Sequence, residues 1–432
     1  MLFARTVTEI AAWRLCLGCG GCAYICPEKS IRLVEFIDEG IRPVVDASRC
    51  GSCTACLDVC PAYENDHTEI NLRPGVMSEL TQYCGPVLEI WEGFATDEAV
   101  RFRGASGGAI TALSLFALEQ SASSGVLHVG RDPGDALRNR TTLSRTRDEV
   151  MSCAGSRYAP ASACDSLHLI EQAAGPCLFV GQPSEVTALR KAQKLRPALN
   201  AKIALAISFF CAGSPSRQGT QKLIESLGVA PQDVTDLRYR GHGWPGHFVV
   251  ESQRPDRPTE YHRMTYAQSW GFIQAYRPFS THLCPDGTGE DADISCGDPW
   301  YERPEENARG SSLIVVRTEA GRQFLREACA AGYLELRPAE SWKLLKSQNN
   351  LWSKRAAIGG RIAALEVLGL PTPRLAGFAL WANWRGLPLS AKMRSFFGTM
   401  RRSIVRRYHR PLSLRHPPGA AGTPASSSPS ST

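Results

Sequence analysis

Cys16-Leu17-Gly18-Cys19-Gly20-Gly21-Cys22-Ala23-Tyr24-Ile25-Cys26-Pro27 and Cys50-Gly51-Ser52-Cys53-Thr54-Ala55-Cys56-Leu57-Asp58-Val59-Cys60-Pro61 are two copies of one pattern, C-x2-C-x2-C-x3-C-P, at an offset of 34 residues. A 4Fe–4S cubane takes a thiolate on each of four irons. The C-x2-C-x2-C segment wraps three corners with one tight loop, and the fourth ligand comes from further away. In two-cluster ferredoxins with this run, the fourth cysteine serves the other cluster. The pattern therefore assigns Cys16, Cys19, Cys22 and Cys60 to one cluster, and Cys50, Cys53, Cys56 and Cys26 to the other. Pro27 and Pro61 turn the chain away after each remote ligand. Zinc is the competing reading. It favours separated C-x2-4-C knuckles, often with histidine, and fits this triple-plus-remote spacing poorly.

Arg5, Glu9 and Arg14 interrupt any apolar run before Cys16, so no secretory signal is expected. Cysteine-rich without export means metal in a reducing cytoplasm rather than disulfides. The hydrophobic share of 43% is that of a globular protein, and no run of eighteen apolar residues could span a bilayer. The net charge of +7 is unevenly spread: ten of the 49 Lys and Arg lie after Glu366, where no Asp or Glu occurs. The preceding part is slightly acidic.

At 432 residues the chain has room for two or three domains. The expected fold class is mixed α+β and α/β. A dicluster ferredoxin-like module occupies 1–66, with a small hairpin across Ile31 to Val45 around Asp38-Glu39-Gly40. Residues 67–85, with Pro74-Gly75, read as a linker. Strands at Val87–Phe94, Gly125–Val129, Cys177–Val180, Lys202–Phe210 and Leu313–Arg317 alternate with helices at Ala109–Leu118, Glu185–Leu195, Ser216–Leu227 and Glu319–Ala331. A further strand and helix start fall within Thr142–Ala154. That alternation predicts βαβ units and a parallel or mixed sheet. Residues 341–416 read as a helical, basic extension. Residues 417–432 contain only Pro, Gly, Ala, Ser and Thr and read as a disordered tail.

Iron–sulfur clusters pass single electrons, whereas metabolites mostly exchange two as hydride. A flavin joins the two regimes. Ser106-Gly107-Gly108 at a helix start is the local candidate, because exposed N–H groups there favour a pyrophosphate. The competing reading is an N-cap serine followed by glycines for close packing. From Val87 to Leu325 the chain resembles the beta-subunit family of coenzyme F420 hydrogenase and dehydrogenase. The resemblance runs through Ala105-Ser106-Gly107-Gly108, Ala154-Gly155-Ser156-Arg157-Tyr158, Val180-Gly181-Gln182-Pro183-Ser184, Phe210-Cys211-Ala212-Gly213 and Ala292-Asp293-Ile294-Ser295-Cys296-Gly297-Asp298, in the family's order. It divides the body into an N-terminal-like domain at 86–170 and a C-terminal-like domain at 171–340. It implies FAD beside the 4Fe–4S clusters, and electron exchange with a deazaflavin or another hydride carrier. It offers Ser106, Gly107, Gly108, Arg157 and Tyr158 as flavin-binding residues, with Arg157 on phosphate and Tyr158 on a ring.

The family's further cluster ligands fall here at Ser184, Cys211, Thr281 and Cys284, so two of four are not cysteines. No third cluster is expected. Asp293 and Asp298 read as turn caps. Arg240-Gly241-His242-Gly243-Trp244-Pro245-Gly246-His247 reads as a loop over the flavin rather than a metal site. Met393, Phe396, Phe397, Met400, Ile404 and Tyr408 recur at helical spacing among Lys392, Arg394, Arg401, Arg402, Arg406 and Arg407. Such a helix either packs on the body or a partner, or lies on an anionic membrane through 390–410, at the inner face. Nucleic acid is not expected, because no binding module accompanies the charge.

The sequence thus reads as an iron–sulfur flavoprotein oxidoreductase of the cytoplasm, exchanging hydride with a small carrier or substrate and electrons with a redox partner. The alternative is an electron-delivery subunit of a larger complex without a substrate of its own.

Overall fold

The computed structural model describes residues 2–302 and 308–414. The N-terminal module contains the antiparallel hairpin β1 (Ile31–Phe36) and β2 (Gly40–Val45) and the short β3 (Glu64–Asp66). The body then supplies β4 (Glu89–Ala95), β5 (Val126–Asp132), β6 (Asp135–Ser144), β7 (Cys177–Gly181) and β8 (Ile203–Phe209). A separate antiparallel sheet follows, formed by β9 (Val234–Arg238), β10 (His247–Ser252) and β11 (Glu260–Thr265). The chain returns with β12 (Ile294–Gly297), β13 (Ser312–Val316), β14 (Leu334–Pro338) and β15 (Arg374–Ala376).

Eight strands form the main sheet in the order β14-β4-β13-β12-β8-β7-β5-β6. Its centre, β12-β8-β7-β5, is parallel, and antiparallel strands flank it on both sides. Sequence already marks the sheet as covered on both faces: β7 in the parallel centre and the antiparallel β13 are both fully buried, without polar alternation. One face packs on the helix Ala109–Glu119 through Val126, Leu178, Val180, Ile207, Ile294 and Ile314. The other packs on the helix Pro183–Leu195, and there the core is shared between two regions. Leu127, Phe179, Val186 and Leu189 of the body join Cys19, Tyr24, Ile25 and Val59 of the cysteine module in one apolar cluster. The module is therefore fused to the sheet through its own interior.

Residues 67–85 are not a loose linker. They contain the helix Ser78–Cys84, with Leu80 and Cys84 fully buried. His67 is 1% exposed, and its ring nitrogens lie 2.9 Å from Glu290 Oε2 and 3.0 Å from Asp291 Oδ2. Arg355 pairs with the other oxygen of Glu290. This buried network ties the segment after the cysteine module to the loop before β12 and to the C-terminal helices. Polarity and Pro74-Gly75 disguise it, because its partners lie more than 200 residues away in sequence. The separate β9–β11 sheet also escapes sequence reading. Its strands are half-exposed and rich in charge, and a glycine loop interrupts them.

The C-terminal extension is helical, as expected. Its helices Ile358–Val367 and Leu389–Val405 meet where Gly359 and Gly360 lie against Trp384 and Ser395. The tail expected at 417–432 lies outside the described residues. No helix among the described residues is long and apolar enough to cross a membrane.

Burial alone would lower the basicity of His67, but Asp291 and Glu290 prevail and raise its pKa from 6.5 to about 10. The sign follows. Protonated His67 stabilises the fold fully below pH 6.5, and that contribution is lost as pH climbs towards 10. His67→Gln is expected to cost about 3 kcal/mol at neutral pH. It should also flatten the fall in melting temperature between pH 7 and 10. Parallel pH profiles for the variant and the parent would contradict the assignment.

Candidate functional site

The two cysteine runs occupy different environments. Cys19, Cys22 and Cys26 are buried, Cys16, Cys56 and Cys60 are half-buried, and Cys50 and Cys53 are exposed. Left-handed glycines shape the first loop: Gly18 at φ +78 and Gly20 at φ +86 let the chain turn inward before the short helix Gly21–Ile25. A cavity of about 400 Å3 opens inside this loop, lined by Cys16, Cys19, Cys22 and Cys60 together with Val7, Ile10 and Leu33. Cys60, the last cysteine of the second run, thus lines the cavity of the first.

Electrostatics divides the cysteines in the same way. Burial pushes the Cys19 and Cys22 thiols well above the ordinary range, and Cys16 and Cys60 push both further. Burial and then Cys16 raise Cys60 to about 12. Cys56 is raised by burial first, then by Cys53, Cys50 and, more weakly, Cys26. Thiols packed this way ionise only against bound positive charge. The four sulfurs of Cys16, Cys19, Cys22 and Cys60 around one apolar cavity fit a 4Fe–4S cluster, whose irons supply that charge. The exposed Cys50 and Cys53 put the second set at the surface.

Beyond Leu17 and Gly18, which border the cysteine cavity, lies a second cavity. Ser184, Cys211, Thr281 and Cys284 all line it, together with Lys354. The four positions singled out from sequence therefore converge in space. Their donors do not suit a further cluster, because two hydroxyls and a nearby ammonium stand where thiolates are needed. Burial raises Cys284 to about 12 and also raises Cys211, with Lys354 opposing both shifts. Burial and then Arg361, Arg277, Arg402 and Lys354 depress His282 to about 2. Among the described residues, none of Arg277, Lys354 and Arg361 forms an ion pair with a carboxylate. These cations lie beside a cavity that Glu39 and Asp286 also line, and burial lowers the pKa of Lys354.

Gln182, Cys211, Gly213 and Ser214 lead from there into the large cavity of the body, about 1430 Å3 including its opening to solvent. Ser106 and Gly108 line it, and the helix Ala109–Glu119 starts at its wall. Gly107 is required by close approach: a Cβ there would lie 2.6 Å from the carbonyl oxygen of Gly93. Ser106 Oγ bonds Ser312 Oγ at 2.9 Å rather than capping the helix. Gly108, at φ +75, precedes the helix without a side-chain cap. The first-turn residues Ala109, Ile110 and Thr111 line the cavity.

Arg157 and Tyr158 line the same cavity with different duties. The Arg157 guanidinium donates to Asn139 Oδ1 and to the carbonyls of Leu237, Ala136 and Arg138. It clasps β6 to β9. Tyr158 sits in an aromatic group, its ring 5.0 Å from Trp270 and 5.6 Å from Tyr239. It also borders an outer groove lined by Trp244, Tyr266, Trp300 and His242. Asp298 is not a simple turn cap. It holds Arg240 at 2.7 and 2.9 Å and accepts from Trp244 Nε1 at 2.8 Å, pinning the glycine-rich loop. Asp293 pairs with Arg190 at 2.7 Å and accepts from Thr318 Oγ1 and Ala206 N.

Two more wall residues carry no sequence signal. His128 bonds Ser144 Oγ at 2.7 Å, and burial depresses its pKa to about 4, which keeps it neutral. Burial raises buried Glu185 to about 7, although it accepts from Ala163 N and Gln182 N.

The match to known sequences follows this architecture. The C-terminal region of the coenzyme F420 hydrogenase/dehydrogenase beta subunit matches residues 176–341, its N-terminal region matches 90–168, and a 4Fe–4S dicluster domain matches 15–63. The chain belongs to the coenzyme F420 hydrogenase/dehydrogenase beta-subunit family. It is 28% identical over 287 residues to the coenzyme F420 hydrogenase subunit beta of Methanococcus voltae, covering 65% of this chain and 95% of that one. The corresponding subunit of Methanosarcina barkeri is 26% identical over 274 residues, covering 60% and 85%. The F420-dependent formate dehydrogenase subunit beta of Methanocaldococcus jannaschii is 25% identical over 248 residues, covering 57% and 61%. A chain of the F420-reducing NiFe hydrogenase complex of Methanosarcina barkeri shares the fold, with a TM-score of 0.54 at 22% identity over 68% of this chain and 97% of that one. In this member of the beta-subunit family, the dicluster domain precedes the body in the same chain. The helices beyond residue 341 lie outside the matched regions.

Crossed ligation is directly testable. Cys60→Ser should remove the cluster of the first run and leave the signal of the second, and Cys26→Ser should do the reverse. Electron paramagnetic resonance of the reduced variants reads this out. Loss of the signal belonging to the mutated cysteine's own run would contradict the crossing. Cys211→Ser and Cys284→Ser should leave the iron content unchanged.

Proposed function

We propose that this protein is an iron–sulfur flavoprotein oxidoreductase. Electrons cross between a redox partner at the exposed cysteine set and a flavin in the large cavity, where hydride is exchanged with a deazaflavin-like carrier or another small substrate. The observation that carries this reading is the order of the sites. Exposed Cys50 and Cys53 lie at the surface, the Cys16, Cys19, Cys22 and Cys60 cavity lies inside, and shared wall residues lead from it to the large cavity. Cys50, Cys53, Cys56 and Cys26 would hold the outer cluster, and the buried four the inner one.

The walls of the cavity suit FAD. The uncapped helix start at Gly108 offers N–H groups to a pyrophosphate, and the helix dipole favours negative charge there. Arg157 has given four of its five N–H donors to the protein, so phosphate recognition falls mainly to this helix and to Ser106-Gly107-Gly108. Tyr158 and Trp270 supply ring surface. Bound there, FAD would convert single electrons into hydride equivalents. The chain's own residues do the rest. The cations Arg277, Lys354 and Arg361 favour the arrival of negative charge between the inner cysteines and the cavity. Neutral His128 adds no charge to the wall. Glu185, with its pKa near 7, can hold or release a proton near neutral pH. The aromatic groove beyond Tyr158 gives a planar substrate access to the cavity.

The relatives named as hydrogenase and formate dehydrogenase subunits favour one second reading, an electron-delivery subunit that works only within a complex. Reduction of a carrier by the purified chain with an artificial donor supports the enzyme. Turnover that requires a copurified partner supports the subunit. Either way the reading places the protein in the cytoplasm, with 390–410 as the segment facing an inner membrane surface.

Cys22→Ser is expected to lower electron transfer to the carrier more than about a hundredfold, as loss of an essential relay should. It should leave about one flavin per chain. Flavin absorbance after anaerobic purification and donor-to-carrier rates together measure this. Loss of flavin in the variant would contradict the separation of the two functions.

A further inference from the structure

The helix Leu389–Val405 is mounted the opposite way from an ordinary amphipathic surface helix. Its buried residues are Ser395, Thr399 and Ser403, a stripe of small polar side chains. They fit because the facing helix offers Gly360, where a Cβ would lie 2.3 Å from Ser395 Oγ. Trp384 Nε1 donates to Ser395 Oγ at 3.0 Å and closes the seam. Large apolar side chains are left outside. Leu389 is 73% exposed, Met393 47%, Phe397 52% and Ile404 56%. At 100° per residue these four fall within one 80° sector of the helix. Trp381, 44% exposed, lies on the preceding helix Leu380–Arg385.

Charge decides what this face meets. Arg394 and Arg401 flank the apolar sector on its open side, and Arg406, Arg407 and Arg410 follow its C-terminal end; all five are exposed. No Asp or Glu occurs after Glu366. A second copy that presented this same face would bring the same positive charge to the contact and be repelled. Residues 415–432 contain one leucine-free run of small residues, prolines and a few polar groups, and so offer no large apolar side chain to cover the face. Apolar side chains standing on a convex helix, rimmed by long basic ones, match an anionic lipid surface. The rings and aliphatic chains reach the acyl boundary there, while the arginines meet the headgroups.

We propose that Leu389–Val405 docks this protein on an anionic membrane surface. Docking inserts Met393, Phe397 and Ile404, and holds Arg394 and Arg401 at the phosphates. It is peripheral, and it stands independently of the flavin reading.

The test uses the full chain, purified anaerobically, and cosedimentation with vesicles of phosphatidylcholine and phosphatidylglycerol in a three-to-one ratio, against phosphatidylcholine alone. The protein should sediment with the anionic vesicles and largely stay in solution with the neutral ones. Phe397→Glu with Met393→Glu should weaken partition at least about tenfold. Arg394→Glu with Arg401→Glu should weaken it at least about thirtyfold. Since all four side chains are exposed, iron content and melting temperature should match the parent, and they serve as the check on folding. Equal partition to both vesicle types, no partition at all, or folded variants that partition like the parent would each overturn the proposal. So would self-association without vesicles that Phe397→Glu abolishes, which would make the face a contact between copies.

Discussion

Cys60 lies in the cavity of the other cysteine run, and the remaining structure depends on that crossing. A run that completed its own ligand set could be an autonomous knot on a flexible tether. Because Cys60 of the second run lines the cavity of the first, the two runs form one body. That body is not tethered. Cys19, Tyr24, Ile25 and Val59 sit in the same apolar cluster as Phe179, Val186 and Leu189 of the main sheet. The inner cluster site is thereby fixed against the helix Pro183–Leu195, whose N-terminal residues also line the large cavity. Rigid placement suits electron transfer, whose rate falls steeply with distance.

The polarity of the route follows from burial and charge. Thiols are exposed only at the second run, where an external protein can approach. Inside, Ser184 and Thr281 line one cavity with Cys211 and Cys284, and Lys354 lies in the same wall. Arg277, Lys354 and Arg361 put cationic side chains between the inner cysteines and the large cavity. Cations there stabilise added negative charge on whatever lies on either side. The buried network of His67, Glu290, Asp291 and Arg355 braces this arrangement from behind.

The sequence was most legible where a single stretch determines its own structure. The cysteine spacing identified the module, and the apolar runs read as strands at Cys177–Val180 and Leu313–Arg317 are strands at Cys177–Gly181 and Ser312–Val316. The helix Ala109–Glu119 began directly after Gly108, as expected, whereas the helix expected at Glu185–Leu195 begins two residues earlier, at Pro183. Legibility failed where distant partners decide. Residues 67–85 read as a linker because His67 finds its carboxylates only in the folded chain. Arg157 sat in a motif that suggested phosphate, yet the carbonyls of Ala136, Arg138 and Leu237 claim its donors. The helix Leu389–Val405 showed its apolar residues plainly, but only the glycines of the facing helix reveal that they point outward.

Iron, acid-labile sulfide and flavin per chain, measured after anaerobic purification, test the central claim most directly. Two crossed clusters and one flavin site predict about eight irons, about eight sulfides and about one FAD. About four irons would break the two-cluster reading. About twelve would mean that a cluster forms at Ser184, Cys211, Thr281 and Cys284 despite their donors. An intact iron complement without flavin would leave the large cavity to some other ligand.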